Sequence, residues 1–502
     1  MRGKIAVLSV LVGVLCFGSA VLGQPWDGNG VEGDPYQIWT AADMQAIGAD
    51  ANYWDAHFEL MADVDLSAYG GTSYNLIGGT FPDNPFNGVF DGNGHTISNF
   101  TYESTGTYYV GIFRYVDGVD AEIKNLGLLD PNVDAWNDIG SLVGMLGGGA
   151  VSRCYVEGGS VSGDTRIGGL VGFSAEAVVS DCYSTGSVSG RSFVGGLVGL
   201  SSRGVVSDCY STGSVSGSAN GAGGLVGENG YENRISDSYS TAGVAGEYEV
   251  GGLVGWNDKR GTISNCHSSG DVSGTTGVGG LVGLNDGIVG ECFASGGIVG
   301  YTDVGGLAGR NRRRIAASAI LSNSYATGSV SGNESVGGLL GSNGSVNVTR
   351  CYATGSVSGS TYVGGLVGEG NDVYVIGSFW DVNTSGEPNS AGGTGLTTVE
   401  MQTESTFTDA GWDFVGELVN GPNDIWAICE GVNYPKLAWQ FIIGDFDGDN
   451  KVDFVDFDIF ATRWLDGDGS FYCGSGGADL TNDGQVGLDD LREFSNNWLA
   501  GL

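Results

Sequence analysis

Between residues 139 and 368 the apolar positions recur in one six-residue block, V/I-G-G-L-V-G. Copies or near copies begin at Ile139, Ile167, Val194, Ala222, Val250, Val278, Val304, Val336 and Val363, and VGIFRY at Val110 is a degenerate first member. The steps between them are 29, 28, 27, 28, 28, 28, 26, 32 and 27 residues. A second block follows each first one: VSDCYSTGSVSG at Val179, ISDSYSTAGVAG at Ile235, ISNCHSSGDVSG at Ile263. In every copy from Val151–Cys154 to Val348–Cys351 a Val, Ile or Leu lies three residues before a Cys or Ser. The next Val or Ile comes six residues after that Cys or Ser, except in the first copy, where Val161 lies seven after Cys154.

A fixed period of this size marks a solenoid. Residues i and i+3 of a straight strand face opposite sides. Val206 and Cys209 are both apolar and both belong inside, so the chain bends between them, at Ser207–Asp208. Gly195–Gly196 supplies a second bend between Val194 and Leu197. A third falls between Leu197 and Val206, where the spacing varies from eight residues (Leu281 to Val289) to fourteen (Leu307 to Leu321). Three breaks per coil predict an all-β parallel β-helix of about ten coils, triangular in section, with three sheets. The strong handedness bias of parallel crossovers favours a right-handed coil.

Composition supports an array. The chain has 502 residues, 94 of them Gly, with no G-X-Y period that would make it collagen. A single core would be unusual at this length, whereas coils pack only on their neighbours. A net charge of −38 argues against nucleic acid and anionic membrane surfaces as partners. MRGKIAVLSVLVGVLCFGSAVLG at 1–23 reads as a signal peptide, with no further membrane span expected. Residues 24–109 are expected to cap the array, with a helix at Ala41–Ile47 and strands at Phe58–Val64 and Gly88–Phe100. Residues 377–440 are expected to cap the other end of the 110–376 helix, with a helix start at Thr398–Gln402.

VGGLVG followed by V-S-x-C-Y-S-T-G resembles the GLUG motif of bacterial surface and secreted proteins, which include adhesins and some large peptidases. The resemblance spans about residues 110–368. It implies an adhesin-like binding or spacer role.

Six of nine Cys (Cys154, Cys182, Cys209, Cys266, Cys292, Cys351) share one repeat position, where Ser238 and Ser324 also stand. Exchange with Ser points to a stacked column of reduced, buried side chains. Cys429 and Cys473 lie outside it and are free to pair in an exported protein. There is no H-E-x-x-H among the three His and no convincing G-x-S-x-G elbow. The column Asp181, Asp208, Asp237, Asn265, Glu291 falls at a predicted bend, where turn formation explains it better than catalysis. Arg310, Arg312, Arg313 and Arg314 gather in the longest variable turn, a candidate basic knob for an anionic glycan or acidic neighbour.

The tail, 441–502, carries the sharpest chemistry. GDFDGDNKVDFVDFDIFATRWL at Gly444 aligns without gaps, at an offset of 34, with ADLTNDGQVGLDDLREFSNNWL at Ala478. Asp445, Asp447, Asp449, Asp453 and Asp456 occupy positions 1, 3, 5, 9 and 12 of an EF-hand calcium loop, with the Lys451 carbonyl at position 7. The second loop offers Asp479, Thr481, Asp483, the Gln485 carbonyl and Asp490; Gly487 replaces the position 9 ligand, where a water can substitute. The pair resembles a type I dockerin. That resemblance implies two Ca²⁺ sites, the second weaker, and contact with a cohesin module through Phe454, Val455, Leu488 and Asp489. The reading of the whole is a secreted, non-enzymatic β-helix binding rod tethered by a dockerin, acting in polysaccharide binding or degradation. A dockerin-borne β-helix glycoside hydrolase or polysaccharide lyase is the alternative.

Overall fold

A computed structural model describes residues 26–312, 319–415, 419–441, 451–462 and 486–498, together with Gly444, Trp464 and Leu480. The signal peptide expected at 1–23 lies outside the described residues. Four long parallel sheets wrap one interior. The first has 13 strands, from Tyr36–Ile38 to Val375–Ile376, and the second 13, from Val64–Asp65 to Thr394–Leu396. The third has 18, from Thr101–Glu103 to Thr361–Gly364, and the fourth 10, from Phe113–Val116 to Val367–Glu369. One turn reads Val178–Ser180 (first sheet), Tyr183–Ser184 (second), Ser187–Gly190 and Ser192–Gly195 (third), then Val198–Ser202 (fourth). The chain is a parallel β-solenoid.

Register follows the repeat. Val151, Val179, Val206, Ile235 and Ile263 are successive partners in the first sheet, all buried. Each turn alone exposes that apolar edge; stacking converts the edges into one continuous core. The three inferred bends are present. Asp208 takes φ 55° between Val206 and Cys209, and Arg203 takes φ 55° between Leu197 and Val206. At the Gly195–Gly196 bend, a Cβ on Gly196 would stand 2.1 Å from the carbonyl oxygen of Gly224 in the next turn, so no larger residue fits.

The expected triangle of three sheets is replaced by four sheets. The missed corner lies at Thr185–Gly186. From Cys182 to Val188 inward and outward residues alternate without interruption, so a bend that preserves the alternation leaves no trace in it. The third sheet is itself folded, with two strands per turn over most of its length. The extra residue of the first copy sits at Gly158–Gly159, with φ 68° and 71°.

The N-terminal region is not a separate cap. The helix forms at Ala41–Ala49 behind a Thr40/Asp43 capping box, but the solenoid begins before residue 110. His57–Leu60 and Val89–Asp91 already belong to the first sheet, Thr96–Ser98 to the second, and Phe58, Phe90 and Ile123 share one inward column. Each expected strand is therefore two short ones around a corner; Asn93, with φ 52°, turns the second. At the other end Phe379–Asp381 and Thr394–Leu396 extend the second sheet, and the helix Thr398–Met401 starts with a Thr397/Glu400 capping box.

Two interior ladders run along the rod. In the cysteine column, Cys182 Sγ accepts from the Cys154 N–H (3.4 Å) and donates to the Ser180 carbonyl (3.0 Å). Ser238 Oγ does the same for Cys209 N–H (3.1 Å) and Ser236 O (2.7 Å). The position needs one small side chain that donates and accepts through one atom, which explains the free exchange of Cys and Ser. The six column thiols are free, and burial pushes the Cys351 thiol up to about 12. The second ladder was missed in the sequence. Asn229, Asn257, Asn285, Asn311 and Asn343 stack buried in the fourth sheet, each Nδ2 donating to the next Oδ1 at 2.7, 2.8, 2.9 and 3.3 Å. Its signal was an Asn three residues after the apolar Val226, Val254, Val282, Ala308 and Leu340.

Candidate binding surfaces

The acidic column at the first corner is a turn feature. Asp181, Asp208, Asp237, Asn265 and Glu291 all take φ between 51° and 56°. Asn and Asp tolerate this left-handed conformation best among residues with a Cβ, and nothing singles out one turn as a reaction centre.

The arginine cluster is divided. Arg310 and Arg312 stand in the strand Ala308–Arg312, not in the variable turn. Arg310 Nε meets Asp303 Oδ2 at 2.6 Å, and its Nη1 lies 3.7 Å from Glu249. Arg312 pairs with the buried Asp286 at 2.9 Å. Their charge is paired within the rod, with Asp303 of the same turn and Glu249 and Asp286 of earlier turns, which removes them from the expected basic knob; Arg313 and Arg314 lie outside the described residues.

The second sheet carries an outward aromatic column that sequence reasoning passed over, although its signal, a Tyr, His or Phe after each column Cys or Ser, stood in the repeats. Tyr155, Tyr183, Tyr210, Tyr239, His267, Phe293, Tyr325 and Tyr352 stack with centroids 4.8–5.1 Å apart and planes within 8°. The C-terminal segment folds back along it. Trp439 lies 6.1 Å from His267 and 5.9 Å from Phe293, and its Nε1 donates to the Glu291 carbonyl (3.1 Å). Tyr325 Oη bonds Gln440 (2.9 Å), and Tyr352 Oη donates to the Pro435 carbonyl (2.5 Å). The segment is thus a strap along the rod's side as well as an end cap. Cys429 is disulfide-bonded, while Cys473 lies outside the described residues.

The fold in the third sheet leaves a concave groove of about 480 Å³, lined by Ser104, Asp134, Trp136, Ser162, Asp164 and Ser189 among others. Ser162 Oγ donates to Asp134 (2.8 Å); Asp164 accepts from Thr165 Oγ1 (3.0 Å) and lies 3.6 Å from Arg191. Trp136 is 44% exposed.

In the tail, helices span Phe454–Thr462 and Leu488–Asn496. Asp453 N–H donates to Asp456 Oδ2 (2.8 Å), and Gly487 N–H to Asp490 Oδ2 (2.7 Å), the same contact at the 34-residue offset. Both receiving carboxylates are buried, beside Val452, Val486 and the stacked rings of Phe460 and Phe494, 5.4 Å apart. Phe454, Val455, Leu488 and Asp489 are exposed, as is Lys451. Asp445, Asp447, Asp449, Asp479, Thr481, Asp483 and Gln485 lie outside the described residues. Among the described residues no group of three or more His, Cys, Asp or Glu is set to hold a metal. A buried carboxylate fixed by a loop N–H at each helix start fits the last ligand of an EF-hand loop.

Comparison with known proteins agrees on the repeats. The GLUG motif family matches residues 163–189, 190–216 and 246–273. Halomucin from Haloquadratum walsbyi is 37% identical over 160 residues, 31% of this chain and 2% of that protein. A protein named "Putative Gly-rich membrane protein" from Evansella cellulosilytica is 34% identical over 138 residues, 26% of this chain and 15% of that one. The chain thus spans a small fraction of either relative's length. A crystal structure described as a "putative immunoglobulin A1 protease" from Bacteroides ovatus aligns over 82% of this chain and 94% of its own, at 20% identity and a TM-score of 0.36.

Proposed function

We propose that the chain is an exported, non-enzymatic binding and spacer rod, attached through calcium-loaded tail loops to a cohesin-type module. The observation that carries the attachment is the internal symmetry of the tail. Equivalent carboxylates, Asp456 and Asp490, are turned inward at two helix starts, while the side chains at loop positions 10 and 11 are left exposed. Besides capping their helices, as Asp43 and Glu400 do, these carboxylates stand where the last ligand of a cation-binding loop would be, and the exposed apolar residues beside them are available to a partner. The candidate calcium ligands are Asp445, Asp447, Asp449, Lys451, Asp453, Asp456 in the first loop and Asp479, Thr481, Asp483, Gln485, Asp490 in the second.

An extracellular or cell-surface location is supported by the leader at 1–23, by the net charge of −38 and by the names halomucin and Gly-rich membrane protein among relatives. Among the described residues no helix is long and apolar enough to cross a membrane. The rod reading is favoured over a polysaccharide-degrading enzyme because the groove carboxylates are engaged locally, Asp134 by Ser162 and Asp164 by Thr165 and Arg191.

The test is capture of the full chain by immobilised type I cohesin modules, with and without EDTA. Calcium-dependent capture, lost in the Phe454→Ala/Leu488→Ala double variant, supports the reading. Capture that ignores both EDTA and the substitutions, or none with any module, rejects it. Release of reducing sugars or unsaturated products from polysaccharides by the purified chain rejects the non-enzymatic part.

A further inference from the structure

We infer that the concave side of the third sheet, near its N-terminal end, binds an extended, uncharged polysaccharide. The inference rests on the binding-rod reading and names the site and ligand class for it.

The groove is built into the fold. From the third of its turns onward the two strands meet at a glycine, and a Cβ on Gly190 would lie 2.9 Å from Ile167 Cγ1; in the first two turns Ser104 and Ala135 hold that place. Its lining comes from five successive turns, at Ser104–Thr105, Asp134–Trp136, Ser162–Asp164, Ser189–Gly190 and Ser216. At about 4.8 Å per turn it runs roughly 19 Å along the rod. A long, open, straight channel fits a polymer better than a compact molecule.

The lining selects the chemistry. Serine hydroxyls, with the acceptor lone pairs that Asp134 and Asp164 keep beyond their local bonds, present donors and acceptors at a regular pitch, as polyhydroxylated chains require. Trp136 projects into the channel with no ring contact among the described residues, leaving a free aromatic face for a sugar ring. The tyrosine column of the second sheet is a poorer platform, because its rings cover one another's faces. Tyr301, 58% exposed, holds the same column as Trp136 six turns later, each three residues before the inward Val or Ile of its turn. That places a second aromatic surface roughly 29 Å along the same track.

Other ligand classes fit less well. Among the described residues the lining holds no Lys or Arg, Arg191 lies 3.6 Å from the lining residue Asp164, and the chain carries −38, so an anionic polymer is repelled. Strands on both sides of the channel already pair with the turns above and below, leaving no open sheet edge for a peptide to extend.

The test uses the full-length protein on an array of neutral glucans, xylans, mannans and galactans beside acidic polygalacturonate and alginate. The affinity of the best neutral oligosaccharide is then measured by calorimetry. Binding to neutral members is expected. Trp136→Ala should weaken it by about tenfold or more, as loss of an aromatic anchor does, Trp136→Tyr should retain most of it, and Ser189→Trp should block the channel. All three variants should keep the parent's far-UV spectrum and melting temperature. Binding to no neutral member, binding confined to acidic members, or affinity unchanged from the parent in Trp136→Ala and Ser189→Trp overturns the inference. The tail variant Asp456→Ala serves as the separator. Glycan binding should survive it, and absence of glycan binding alongside intact cohesin capture defeats the groove alone.

Discussion

The main-chain N–H of Cys209 donates to the hydroxyl of Ser238 one turn further on, at 3.1 Å, and that hydroxyl donates to the carbonyl of Ser236 at 2.7 Å. The same pairing recurs between Cys292 and Ser324 and between Cys351 and Ser378. One small side chain per turn satisfies a corner amide of its neighbour and a carbonyl of its own strand.

Ser238→Ala removes little more than the hydroxyl and leaves the buried Cys209 amide without its acceptor. The expected cost is about 1–3 kcal/mol, the penalty of an unpaired buried donor. Ser238→Cys should cost less, because sulfur fills both roles elsewhere in the column. Thermal unfolding of the two variants checks this, and equal losses would reject the hydrogen-bonding account of the column.

Asn257 both receives from Asn229 (2.7 Å) and donates to Asn285 (2.8 Å) inside the rod. Asn257→Leu is expected to destabilise by about 1–3 kcal/mol, since Asn229 Nδ2 and Asn285 Oδ1 each lose a partner in a dry interior and keep only the Thr262 carbonyl (3.4 Å) and the Gly287 N–H (3.1 Å). Amide hydrogen exchange should rise in the turns holding Asn229 and Asn285 more than in distant turns. Unchanged exchange there would show that the ladder contributes little.

His267 lies between Tyr239 and Phe293 and beneath Trp439, and burial lowers its pKa below the usual 6.5. The unfolded chain therefore binds this proton more readily than the folded one. Stability contributed by the neutral ring is complete above 6.5 and is lost as pH falls from there toward the lower folded value. Among the described residues no carboxylate forms an ion pair with the ring; Glu291 stands nearby through its carbonyl, which holds Trp439. Limited proteolysis of the strap at 419–441 should accelerate on acidification through this window. His267→Phe should flatten the dependence. Identical pH profiles for the parent and the variant would assign the effect to other groups.

Calcium should order the tail, and unequally. The first loop brings five carboxylates, the second three and a hydroxyl, and hard cations favour the richer set. Calorimetric titration of the full chain should give a tighter and a weaker site. Asp456→Ala should remove the tighter one and Asp490→Ala the weaker one. One site, or two of equal affinity insensitive to these changes, contradicts the reading.

The sequence by itself determined the period, the inward columns and three of the corners. Volume and polarity at Val206, Cys209 and Leu197 recur every turn, and opposite-facing apolar pairs force a bend between them. It also determined the tail's two-fold repeat, because the 34-residue offset between the two segments is a local pattern. Only the tertiary structure decided the number of sheets, since the corner at Gly186 leaves the alternation of Cys182, Ser184 and Val188 intact. It also decided that the solenoid starts near Tyr36, where Phe58 and Phe90 carry the inward column without the glycine motif. The strap on the aromatic column and the groove at Trp136 depend on residues far apart in the chain. Trp439 meets His267, and Trp136 comes to line one groove with Ser189, through stacking and folding of the sheets, and no local pattern records which side chains those operations bring together.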